Sequence, residues 1–141
     1  MDANPATLFF LVAVLLLAII GVVYLVFSSK THSRLNVSRF QTKWLEIENS
    51  VSRDNEASWQ LAIFNADKLL DHALRESRYK GSTMGERMKS AQKVWKNANY
   101  VWGAHKIRNR LAHESDVKLS YDITLRSLSA FKQALKDLGA I

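Results

Sequence analysis

The chain has 141 residues, with twenty basic side chains against thirteen acidic ones, a net charge of +7, and no cysteine. Without thiols there are no disulfides, thiolate metal sites or cysteine nucleophiles. The basic balance calls for an anionic partner such as nucleic acid, nucleotide or anionic lipid.

Residues 8–27 read LFFLVAVLLLAIIGVVYLVF, twenty residues without a charge. As a helix this run rises roughly 30 Å, the thickness of the hydrocarbon core of a bilayer. It is expected to be a single transmembrane helix, with Tyr24 and Phe27 as interfacial aromatics. A cleaved signal peptide fits poorly. The leading MDANPAT carries Asp2 and no basic residue, and no small-x-small site precedes Ser28-Ser29-Lys30. Basic residues follow the run, at Lys30, Arg34, Arg39 and Lys43, and none precedes it. The positive-inside rule then places the N-terminus outside and the rest in the cytoplasm, at the cell membrane. The expected organisation is a short tail at 1–7, the span at 8–27, a basic juxtamembrane linker at 28–37 that touches lipid headgroups, and one helical domain at 38–141.

In that domain apolar residues recur at helical spacing and no alternating strand pattern occurs. A first helix is expected over Arg39–Val51, with Ser38 and Gln41 as a capping box and Phe40, Trp44, Ile47 and Val51 as its stripe. A second is expected over Asn55–Tyr79 behind Asp54, burying Trp59, Ile63, Ala66, Leu70 and Ala73 and ending at Gly81. Thr83 and Glu86 form another capping box, opening a segment that runs past Val94 to a break near Asn97-Ala98-Asn99. A helix ending at His113 follows, then a loop at Glu114-Ser115-Asp116. Ser120 caps a last helix whose stripe is Tyr121, Leu125, Leu128, Phe131, Leu135 and Leu138, closed by Gly139. The expected fold is all-α: a transmembrane helix followed by a bundle of four or five helices.

Between Arg78 and His113 stand nine basic residues against Glu86 alone, while the flanking stretches are near balance or slightly acidic. Lys93, Lys96, Lys106 and Arg110 are therefore expected on a basic binding face, for RNA, a nucleotide or an acidic protein, or on a merely solvated one. The helix ending at His113 has two stripes. Tyr100, Ala104, Ile107 and Leu111 form one; Val94, Ala98, Val101, His105 and Arg108 form the other. A helix buried on two faces predicts a homodimer, with Val101 and His105 on the dimer face. Arg108 on such a face needs an anionic ligand or an acid, for which Asp67 and Asp71 are the candidates. No histidine and carboxylate spacing suggests a metal site, and no cofactor is expected.

The run Arg108-Asn109-Arg110-Leu111-Ala112-His113 resembles the R-(N/D/H)-x-x-x-H signature of HEPN domains (higher eukaryote and prokaryote nucleotide-binding). The resemblance covers about Trp59 to Leu138. It implies an all-helical bundle that pairs through its motif helices and, in catalytic members, a metal-independent endoribonuclease. Carried over, Arg108 would hold the scissile phosphate, His113 would act as general acid or base, and Asn109 would orient one of them. Non-catalytic members imply instead a binding and dimerisation module. The toxin members often carry a tyrosine two residues after the histidine, where this chain has Ser115. His113 also suits a plain role at a helix C-terminus, facing the negative end of the dipole.

Overall fold

The computed structural model describes residues 5–28 and 35–141; in the first stretch the side chains described are those of Pro5 and residues 9–23. The chain divides into two units, Met1–His32 and Ser33–Ile141. Among the described residues there are six α-helices and no strand.

The first unit is one helix, α1 (Pro5–Ser28), which contains the expected span. Phe9, Phe10, Leu11, Leu15, Leu17 and Ile20 are exposed on it. Among the described residues no helix is long and apolar enough to cross a membrane. The side chains of Tyr24 and Phe27, and Lys30 and Arg34 entirely, lie outside the described residues.

The second unit is a bundle of α2 (Val37–Ser50), α3 (Glu56–Glu76), α4 (Met84–Ser90), α5 (Ala98–His113) and α6 (Tyr121–Asp137). α3 is its centre and packs against α2, α4, α5 and α6. Its buried face, Ala62, Ile63, Ala66, Leu69, Leu70, Ala73 and Leu74, is apolar except for Asp67. Phe40, Trp44 and Ile47 of α2 and Leu128, Phe131 and Leu135 of α6 fill the same core.

Caps fix the helix ends, and two differ from expectation. Asn36, not Ser38, caps α2 by accepting from Arg39 N at 3.0 Å, so the helix starts two residues early. Asn55, not Asp54, caps α3 by accepting from Ser58 N. At the other end of α3 the left-handed residue is Arg78 (φ 60°), not Gly81. Tyr79 N donates to Leu74 O and Arg78 N to Arg75 O, which closes a Schellman turn. Gly81 serves a different purpose: a Cβ there would stand 2.6 Å from Arg87 N, so only glycine lets this loop lie against the start of α4.

The Thr83–Glu86 capping box forms as expected. α4 stops at Ser90, earlier than expected, in a turn that buries Ala91 and Trp95. The loop at 114–116, the Ser120 cap and the left-handed Gly139 (φ 70°) agree with the sequence. On α6, Leu125 is exposed, and Thr124 and Ser127 occupy the buried face. Each satisfies its hydroxyl by donating to a carbonyl one turn back, at Ser120 and Ile123.

Candidate functional site

One face of α5 carries His105, Arg108 and Asn109, three and four residues apart and therefore neighbours on the helix surface. This face lies against α3, where Asp67 interrupts the apolar stripe. Asp67 is buried, with 2 % of its surface exposed. A carboxylate placed so deep needs partners, and α5 supplies two. Asp67 Oδ1 is 2.7 Å from His105 Nδ1, and Asp67 Oδ2 is 3.1 Å from Arg108 Nε.

Asn109 completes the loop. Arg108 Nη1 donates to Asn109 Oδ1 at 3.0 Å, and Asn109 Nδ2 meets His105 Nε2 at 3.2 Å. Because Arg108 can only donate, Oδ1 is the accepting end of Asn109 and Nδ2 its donating end. His105 Nε2 must then accept, which puts the ring proton on Nδ1, donated to Asp67. The four side chains form a closed circuit in which both imidazole nitrogens are engaged. Its weakest side is Arg108 Nε, which forms the ion pair with Asp67 but makes no hydrogen bond of its own. The Arg108 guanidinium also lies over the Phe64 ring, 5.6 Å from its centroid.

This circuit sits in the wall of a cleft of about 840 Å³ between α3, α5 and the start of α4. Lys68, Arg75, Lys106 and Arg108 line it with positive charge, and Trp102, edge-on to His105, is its indole. A second internal pair closes its far end. Arg87, 6 % exposed, donates to Asp71 Oδ1 at 2.7 Å and to Gly81 O at 2.7 Å. Hydrogen bonds from the Ser82 hydroxyl and from the backbone of Ser82 and Thr83 hold the Glu86 carboxyl below the usual carboxylate range.

The structure separates the two ends of the motif. Arg108 and Asn109 line the cleft, and His113 does not. His113 is the exposed last residue of α5. Five residues of regular helix turn a side chain by about 140° from Arg108, so the two cannot share a face. Val101 and His105, expected on a dimer face, are buried inside the protomer, at 2 % and 8 % exposure. The second stripe of α5 is thus a core stripe, and Asp67 is its partner. Of the expected basic face, Lys106 lines the cleft. Lys93 and Lys96 are exposed in the turn between α4 and α5. Arg110 is exposed on the last turn of α5 and paired with Glu114 at 3.0 Å. Lys68, Arg75 and Trp102 were not anticipated as cleft residues. The available signal was Asp67 itself, an acid at a core position of α3.

An apolar groove of about 660 Å³ lies between α5 and α6, lined by Tyr100, Gly103, Ile107, Ile123 and Ala130, and contains none of the motif residues. Among the described residues no group of three His, Asp or Glu side chains is placed to hold a metal ion. Compared with protein-family models, with curated proteins and with solved structures, the chain gives no match.

Proposed function

We propose that the chain is a membrane-anchored helical module whose α3–α5 cleft binds a phosphate-bearing ligand, a nucleotide or RNA, without cleaving it. The observation that carries this reading is the circuit around Asp67. It holds the Arg108 guanidinium in the wall of a basic cleft and engages both nitrogens of His105. Arginine so fixed is a ready phosphate donor. Acid–base chemistry on a ribose hydroxyl needs an imidazole with a nitrogen to spare. In one protomer His105 has none, and His113 stands outside the cleft.

The anchor is read from the uncharged run at 8–27 and the basic residues after it, which place the domain at the inner membrane face. Such an anchor would bury the apolar side chains that α1 exposes. The endoribonuclease reading, drawn from the HEPN-like motif, requires a second copy to bring its own His113 to this cleft.

The test uses the full chain in phosphatidylcholine nanodiscs with labelled RNA in EDTA. Binding is expected without products, weakening as salt is raised. Arg108→Ala and Lys106→Ala are each expected to weaken it. Cleavage to 2′,3′-cyclic phosphate ends that disappears in both Arg108→Ala and His113→Ala would replace this reading with the nuclease.

A further inference from the structure

The α3–α5 cleft does not end at α3. A smaller cleft of about 270 Å³ lies on the other side of that helix, between α2 and α3. Asn65 and Lys68 line both, so the two are one surface divided by the exposed ridge of α3. The smaller cleft is lined by Lys43 of α2 and by Lys68 and His72 of α3, with Glu46 as its acid. Lys43, Lys68, His72 and Arg75 are exposed. Arg75, on the ridge and in the larger cleft, is bound to Asp71 at 2.8 Å.

We infer that the ligand is a single-stranded nucleic acid, and that Lys43, Lys68 and His72 form a second phosphate subsite beside the one around Lys106 and Arg108. The inference rests on the phosphate-binding reading of the larger cleft. Of the second subsite, Lys43 stands on α2, ahead of the segment that resembles HEPN domains, and Lys68 and His72 on α3. An α-helix with its side chains is about 10 Å across. Lys43 of α2 and Lys106 of α5 stand on either flank of α3, so an anion that reaches both must carry phosphates roughly that far apart, farther than the phosphate chain of one nucleotide extends. A flexible strand can follow the ridge with a phosphate in each cleft. Trp102 in the larger cleft offers an indole for one base to stack on. Lys68 at the crossing serves both halves.

The experiment titrates the full chain in phosphatidylcholine nanodiscs with uridine monophosphate and with oligouridylates of increasing length. Affinity is expected to rise at least about tenfold once the strand is long enough to occupy both clefts, as linked sites require. The salt slope should grow by about 0.7 for each phosphate gained. With Lys43→Ala the affinities for long and short ligands converge. With Lys118→Ala, an equal loss of charge in the loop before α6, the length gain persists. An affinity that stays flat with length, or a gain untouched by Lys43→Ala, overturns the second subsite while the first stands. A gain lost equally in Lys118→Ala overturns it too, as diffuse attraction. A shift of binding to phosphatidylserine nanodiscs carrying no RNA would assign the lysines to lipid headgroups instead. If neither monophosphate nor oligomer binds, the reading of the larger cleft fails and takes this inference with it.

Discussion

Asp67 is the most consequential side chain of the domain. From inside the core it accepts the His105 ring proton's hydrogen bond and pairs with the Arg108 guanidinium. Removing one member of a buried charged set leaves the others without compensation, which costs about 3–5 kcal/mol. Asp67→Ala is therefore expected to lower the free energy of unfolding by about 3 kcal/mol in a denaturant titration. Arg110→Ala, which breaks an exposed pair one turn away on the same helix, should change it by less than about 0.5 kcal/mol. Equal effects would mean that the circuit is ornamental. A second residue-scale expectation concerns acid. Burial by itself raises the Glu48 carboxyl, but the hydrogen bond from Lys132, and the charges of Lys132 and Lys136, bring it below its ordinary value. A carboxylate lowered on folding stabilises the fold above its unfolded pKa and loses that contribution as pH falls through the folded one. Stability measured across that acid range should fall, and Lys132→Ala should make the fall shallower.

At the scale of the elements, the sequence located the helices better than their ends or their partners. Stripes such as Phe40, Trp44 and Ile47 are read directly from spacing, because burial on one face imposes a period of 3.6 residues. The caps were less legible. Asn36 and Ser38, or Asp54 and Asn55, offer equivalent oxygens one or two residues apart, and only tertiary packing decides between them. Arg78 is the sharpest case: a nearby glycine looks like the natural left-handed residue, yet Gly81 is needed to admit the start of α4. Arg78→Gly should therefore stabilise the domain, by about 0.5–1 kcal/mol in denaturant. Gly81→Ala should destabilise it by more than 1 kcal/mol, roughly, because the added methyl meets backbone. The burial of Val101 and His105 within the protomer was illegible for the same reason. Amphipathic periodicity shows that a face is covered but not by what, and the answer was an acid on another helix of the same chain. The basic cleft was legible as an excess of charge near α5; its Lys68 and Arg75, on a helix with no net excess, were not.

For the whole molecule the proposed anchor makes a direct expectation. In membranes carrying the full chain, the protein should resist extraction by high salt and alkali and yield only to detergent. A tag after Ile141 should be protected from protease added outside intact cells, and a tag before Met1 should be cleaved. Release by salt alone would reduce the first helix to a surface contact.

The central position of α3 bears on how the domain can be divided. α6 is held by α3 and α5 through packing, and the only covalent tie between α5 and α6 is the exposed stretch that begins at Glu114. A polypeptide opened there would keep its shape. Two separately translated pieces, one ending at Ser115 and the other beginning at Asp116, are expected to find each other and restore the bundle, so that α6 becomes a removable part. The same cut placed within α3 would leave neither piece a surface on which to assemble.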